Sequence, residues 1–370
     1  MKSFFIGDRE IRLPIIQGGM GVGVSLSGLA SAVANEGGIG VISCAGLGLI
    51  HSGHGNFLQN CIWGLKEELR LAREKTKGMI GVNIMVALSN FSDMARTAIA
   101  EKVDVIFSGA CLPLDLPSFQ TSGSKTKLVP IVSSARAARI ICEKWHKNHH
   151  YLPDASVVEG PKAGGHLGFR KEQISDQSYA LEKIVPEVLK TAAAYKEIKA
   201  IPVIAAGGIS SGGDMYRFIE MGASAVQMGT IFVTTDECDA SDAFKQVYLA
   251  AQQDDLQIIN SPVGMPGRAV KSEFLRRVAL GLETPKSCPV HCIKTCDYTR
   301  SPYCIMKALF SAAKGNMEQG YAFAGINAHL AWKISSVKEV IAALKREFAM
   351  AESLAMQASL TVPDDDGTKE

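Results

Sequence analysis

IPVIAAGGISSGGDMYRFIEMGASAVQMGTIF, residues 201–232, reads as a buried apolar strand, a glycine turn, a short helix and a second buried strand. The helix opens at SGGD and stops before Gly222. Two strands joined by such a crossover lie parallel. The same alternation runs back towards the N-terminus. Candidate strands at 14–20, 40–46, 79–86, 104–110, 128–134, 155–161, 201–208 and 225–232 are short and rich in Val and Ile, as strands covered on both faces are. Eight strand-helix units predict an α/β fold of the TIM (β/α)8 barrel type, because an open doubly wound sheet usually has five or six strands and a glycine-rich turn after its first. QGGMGVG at 17–23 lacks the third glycine of a dinucleotide-binding fingerprint at the required spacing.

The first helix is expected after Ser25 or Ser27 as N-cap, with Leu29, Val33 and Ala34 on one face and Gly37-Gly38 as its stop. LKEELRLAREKT at 65–76 places opposite charges three and four apart, the mark of a solvated helix face. After about residue 235 the alternation ends. DAFKQVYLAAQQ, EFLRRVALGL and YCIMKALFSAAKG read as helices around the Pro/Gly-rich stretch SPVGMPGR. This predicts a barrel domain over 1–235 and a smaller, mostly helical substrate-covering domain with a Cys-rich segment over 236–335. A C-terminal helix at 336–352 is expected to pack back on the barrel, and 353–370 to be a disordered tail.

The chain has 370 residues, of which 47% are hydrophobic and 21% charged, enough apolar material for a large core. Lys and Arg number 39 against 37 Asp and Glu, with no basic cluster among aromatics, so no nucleic-acid partner is expected and a small molecule is. The sequence shows no secretory signal and no uncharged apolar run long enough to span a membrane, which predicts a cytoplasmic protein without a membrane partner. Nine cysteines, an odd number, argue against a secreted disulfide framework.

In a TIM barrel the site lies at the C-terminal ends of the strands. Gly207, Gly208 and Ile209 after the seventh strand, and Gly229 and Thr230 at the eighth, stand where such barrels hold a phosphate on loop N–H groups. Tight turns alone would also use these glycines. The other strand ends bring Gly18, Met20, Gly21, Asn83, Gly109 and Ser133, mostly backbone with one carboxamide. A flat, hydrogen-bonding ring system such as a flavin suits that lining better than a metal ion does. For Asn83 a purely local backbone bond is the competing reading. VVEGPKAGGHLG at 157–168 delivers His166 on a loop where glycines, Gly165 among them, let the backbone pass close to a bound ring. An imidazole there is either structural or a proton acceptor for a carbon acid.

IRLPIIQGGMGVGVS, GVNIM, VVEGPKAGGHLG and the 201–232 stretch, in this order, resemble the FMN-dependent nitronate monooxygenases, formerly called 2-nitropropane dioxygenases. The sequence is also similar to their relatives, the flavin-dependent enoyl-acyl-carrier-protein reductases. The resemblance covers about residues 10–235 and implies a TIM barrel with non-covalent FMN beneath a smaller helical domain. By it, Gly207, Gly208, Gly229 and Thr230 match the phosphate positions, Met20 and Gly21 the loop beside the isoalloxazine, Asn83 a polar flavin contact, and His166 the catalytic base. The implied activity is oxidation of alkyl nitronates with dioxygen, His166 first taking the α proton of neutral nitroalkanes. The alternative is NAD(P)H-dependent reduction of enoyl thioesters or quinones. The family often has an acidic or small residue where Lys162 stands. A lysine there either favours an anionic flavin or acidic substrate or is simply solvated.

Cys288, Cys292, Cys296 and Cys304 crowd into seventeen residues, yet their spacing matches neither paired C-x2-C zinc motifs nor common ferredoxin patterns. They are read as packing residues, and no metal is expected. Cys44 and Cys111 lie near strand ends, where approach to a flavin competes with simple burial, and His51 and His54, in the loop after the second strand, either contact substrate or stand in solvent.

Overall fold

The computed structural model describes residues 1–360. Its strands are β1 (Phe4–Ile6), β2 (Arg9–Ile11), β3 (Ile15–Gln17), β4 (Ile39–Ser43), β5 (Met79–Met85), β6 (Val105–Gly109), β7 (Lys127–Val132), β8 (Ser156–Glu159), β9 (Gly165–His166), β10 (Val203–Ala206), β11 (Ala225–Met228), β12 (Leu256–Asn260) and β13 (Pro266–Val270). The helices are α1 (Ser27–Asn35), α2 (Leu47–Ile50), α3 (Phe57–Lys75), α4 (Phe91–Ala100), α5 (Ala135–His149), α6 (Leu181–Ala193), α7 (Gly212–Glu220), α8 (Thr230–Val233), α9 (Asp242–Ala250), α10 (Glu273–Ala279), α11 (Ile305–Ala313) and α12 (Val337–Leu360).

β3 to β8, β10 and β11 form a closed parallel barrel in sequence order, β11 pairing with β3 through Met228 opposite Gln17. This is the TIM barrel that the alternation predicts. Ile16, Val41, Val105, Phe107, Val157 and Ile204 fill its interior, and Phe4, Ile6 and Ile11 of the β1–β2 hairpin pack into the same cluster. The β1–β2 hairpin precedes the strands, so it stands at the end opposite the loops that carry chemistry. A second apolar layer, with Leu29, Val33, Leu65, Leu69, Met94 and Trp145, lies between strands and helices.

Four details differ from the sequence reading. The eighth strand stops at Met228 rather than 232, and Thr230–Val233 turns into α8. The apolar run TIF gave no sign of that change of period. Neither Ser25 nor Ser27 caps α1: Ser25 Oγ donates to Met20 O, while Asp239 accepts from the N–H groups of Leu26, Gly28 and Leu29, and Glu68 from that of Ser27. Two carboxylates from elsewhere thus take the helix's unpaired donors and complement its dipole. The stretch read as a Pro/Gly-rich connection is the β12–β13 hairpin, to which β9 adds antiparallel. Finally, α12 runs to Leu360, so 353–360 is helix and not tail; the rest of the expected tail, 361–370, lies outside the described residues. Through its first half α12 packs on α7, with Glu347 accepting from Gly212 N–H at 2.7 Å.

Candidate active site

The C-terminal strand ends surround a cavity of about 260 Å³. Its floor comes from the Gly18–Gly21 turn after β3, Asn83 in β5, Gly109 in β6, Glu159 in β8, Ala206–Ser210 after β10 and Gln227–Thr230 at β11. Phe244 and Tyr248 of α9, Leu309 of α11 and the 323–327 segment close it from above. Of the site residues expected from the sequence, Gly18, Met20, Gly21, Asn83, Gly109, Gly165, His166, Gly207, Gly208, Ile209, Gly229 and Thr230 all line this space. Ser133 does not. Its hydroxyl is packed against Gly168, where an added Cβ would lie 2.2 Å from Oγ.

The turn after β10 is built on glycine because both Gly207 (φ +94°) and Gly208 (φ +84°) are left-handed. The N–H groups of Gly207, Gly208, Ile209 and Gly229 donate to no acceptor among the described residues. Asn327 Nδ2 donates to Gly208 O and Ser210 Oγ, both at 2.9 Å, and Thr230 Oγ1 accepts from Gly325 N–H at 3.0 Å. The 325–327 segment therefore ties the two turns together while leaving their amides free. Unsatisfied donors converging on one pocket end are a site for an anion.

His166 lies in β9, at the end of the loop after β8, and lines the same cavity. Gly165 (φ +74°) aims the chain so that His166 pairs with Gly267 across the β9–β13 ladder. The imidazole packs edge-on against Phe323, ring centroids 5.0 Å apart, and Nε2 lies 2.7 Å from Ser261 Oγ. Ser261 Oγ accepts from Val263 N–H at 3.2 Å, and Nδ1 has no hydrogen-bond partner among the described residues. Burial lowers the imidazole pKa from 6.5 to about 4, so it is neutral at physiological pH.

Two polar side chains in the floor escaped the sequence reading. Glu159, at the end of β8, makes no side-chain hydrogen bond among the described residues, and burial raises its carboxyl pKa from 4.5 to about 7. Gln227 is 9% exposed and likewise unpartnered among the described residues. Ala206 pairs with both across β8–β10–β11, which sets them in one register row. Each is a lone polar residue in an apolar run, the signal that should have marked them. Ser261, Phe323 and Asn327 lie in segments without periodicity, where no such signal exists.

Several other candidates fall away from the cavity. Lys162 is exposed and lines no part of it, although its carbonyl accepts from Ile326 N–H. His51 bonds Glu68 at 2.8 Å and His54 stacks on Trp63. Cys44 is buried, its thiol pushed up by burial, and Cys111 is exposed. Cys288, Cys292, Cys296 and Cys304 are free thiols in the loop before α11; burial first, then the neighbouring thiols, raises Cys292 to about 12. Among the described residues, no group of three or more His, Cys, Asp or Glu is arranged to hold a metal ion.

A family model for nitronate monooxygenase matches residues 2–347. The chain belongs to the nitronate monooxygenase family. A Mycobacterium tuberculosis enzyme named (3aS,4S,5R,7aS)-5-hydroxy-7a-methyl-1-oxo-octahydro-1H-indene-4-carboxyl-CoA dehydrogenase is 30% identical over 275 residues, 73% of this chain and 66% of that enzyme, just under two thirds of its length. A probable nitronate monooxygenase of Staphylococcus aureus is 26% identical over 73% of this chain and 78% of its own. Among solved structures, FabK from Thermotoga maritima superposes with a TM-score of 0.72 at 28% identity, covering 94% of this chain and 96% of that one. Nitroalkane oxidase from Streptomyces ansochromogenes gives 0.71 at 21% identity over 93% and 98%, a likeness of fold. This nitronate monooxygenase family member is an oxidoreductase acting on small molecules. Among the described residues no helix is long and apolar enough to cross a membrane.

Proposed function

We propose that the protein is an FMN-dependent enzyme that oxidises alkyl nitronates with dioxygen and takes neutral nitroalkanes after His166 has removed their α proton. The observation that carries this reading is a half-buried imidazole, held neutral by its surroundings, in the same cavity as a set of unsatisfied amides. FMN fits the residues present. The free N–H groups of Gly207, Gly208, Ile209 and Gly229 suit its phosphate. Gly18, Gly21 and Gly165 line the cavity, and a Cβ on Gly165 would meet no atom of the described residues within 4 Å, which leaves room for a flat ring beside that loop. Asn83 and Gln227 offer unpartnered carboxamides to ring or ribityl oxygens. When bound, FMN supplies the electron transfer that no side chain can perform.

The chain's own groups then bind, orient and move a proton. With Nε2–H donated to Ser261 Oγ, Nδ1 presents the lone pair that accepts the α proton. Burial makes the imidazolium costly, and the nitronate anion formed beside it offsets that cost by pairing with it. Phe323, Leu309 and Tyr248 give the cavity apolar surface beside the reacting face. We also propose that residues 1–235 form the flavin-binding unit and 236–335 the covering unit, and that the enzyme works in the cytoplasm without a metal.

A second reading, NAD(P)H-dependent reduction of enoyl thioesters or quinones, is favoured by the name of the M. tuberculosis relative, whose substrate carries CoA. Anaerobic absorbance of the as-purified protein separates the two. Bleaching by propyl nitronate, with no response to NADH or NADPH, supports the oxygenase; rapid bleaching by a nicotinamide supports the reductase. A colourless protein that takes up no FMN sinks both.

A further inference from the structure

The β12–β13 hairpin buries a cation that the proposed reaction does not use. Arg268, in β13, is 6% exposed. Burial lowers its pKa to about 10, and among the described residues it forms no ion pair with a carboxylate. Its Nη1 instead donates to two carbonyls of the loop after β8, Pro161 O at 2.7 Å and Ala163 O at 2.6 Å. The same strand holds the far end of that loop: Arg268 pairs with Gly165, Gly267 with His166, and Leu167 N–H donates to Pro266 O at 2.8 Å. An unpaired buried charge is expensive, so hydrogen bonds to those carbonyls must offset its desolvation.

We propose that Arg268 is a positioning residue for His166: its guanidinium gathers the Pro161 and Ala163 carbonyls and thereby sets the loop on which the imidazole reaches Ser261 and the cavity. The two carbonyl dipoles converge on one nitrogen, and without a cation between them they repel. Nη1 of arginine carries two N–H groups in a fixed plane, one for each acceptor. Lysine offers a charge without that fork and loses its proton more readily when buried. The catalytic meaning of this contact rests on the proposed role of His166, but the contact itself is testable without it.

The test compares Arg268→Met and Arg268→Lys with the wild type in two measurements. The first is ¹⁵N-histidine NMR titration, the His166 signal being assigned by its loss in His166→Ala. Arg268→Met is expected to move the His166 titration from about 4 towards the 6.5 of an ordinary histidine, because the freed loop exposes the ring. The second is the ratio of kcat/KM for a neutral nitroalkane to that for its preformed nitronate. This ratio is expected to fall about 100-fold in Arg268→Met, the size of a lost general base, and to recover about 10-fold in Arg268→Lys. A merely structural arginine would lower both activities together and leave the ratio alone. Unchanged titration and unchanged ratio in Arg268→Met overturn the proposal. Should that variant not fold, Arg268→Lys decides: values equal to wild type in both measurements overturn it. If the wild type turns over neither nitro compound, the functional reading fails while the titration still judges Arg268.

Discussion

Replacing Glu159 by glutamine removes a carboxyl that the fold places in the cavity floor with no hydrogen-bond partner among the described residues. Its pKa is raised from 4.5 to about 7 by burial alone. A carboxyl raised in this direction binds its proton more tightly folded than unfolded, so its contribution is most favourable at low pH and is lost as pH rises from 4.5 through about 7. Taking about 1.4 kcal/mol per pKa unit, the loss is roughly 1 kcal/mol at pH 5 and roughly 3 kcal/mol at pH 8. Glutamine carries no such loss, and whatever its amide costs is the same at every pH. The flavin-free Glu159→Gln protein should therefore gain about 2 kcal/mol on the wild type between pH 5 and pH 8. His166 titrates in both proteins and cancels in the comparison. Urea unfolding of both at pH 5, 6, 7 and 8 reads the difference directly. A stability gap that stays constant across that range, within about 0.5 kcal/mol, refutes the claim that this carboxyl is desolvated and unpartnered.

His166→Ala is expected to lower kcat/KM for a neutral nitroalkane by roughly 100- to 10,000-fold and for the preformed nitronate far less; equal losses in steady-state assays rule out the imidazole as the base. Asp239→Ala strips an acceptor from three N–H groups of the α1 N-terminus, at 2.7, 3.0 and 3.1 Å, and should lower the urea midpoint by the equivalent of about 2 kcal/mol. A midpoint within error of wild type would mean that water replaces the carboxylate. Gly165→Ala puts a methyl where none of the described residues comes within 4 Å, but at φ +74° it also strains the backbone before His166, so the urea midpoint should drop by the equivalent of about 1 kcal/mol and FMN affinity, read by quenching of flavin fluorescence, should fall at least about 10-fold. Unaltered affinity would move the ring away from this loop.

The eight barrel strands could be read from sequence because each is covered on both faces, and a run such as Ile201–Ala206 has no place but the interior. The glycines of the cavity were legible for a similar local reason: Gly207 and Gly208 need a backbone conformation other residues resist. Glu159 and Gln227 carry an equally local signal, each a single polar residue in an apolar strand. The β12–β13 hairpin was hidden, since LQIIN lies half-buried without clean alternation and PGRAV opens on residues that usually end a strand.

Sequence by itself determined the barrel, the glycine turns and the presence of a histidine after the sixth barrel strand, because strand burial and backbone sterics act over a few residues. What holds that histidine was decided by tertiary structure alone. Ser261 reaches its ring from 95 residues away, and Arg268 reaches its loop from 105 and 107. Asp239 caps α1 across as many as 213. Such partners leave no periodic trace, since a hydrogen bond depends on where two segments meet in space and not on their separation along the chain.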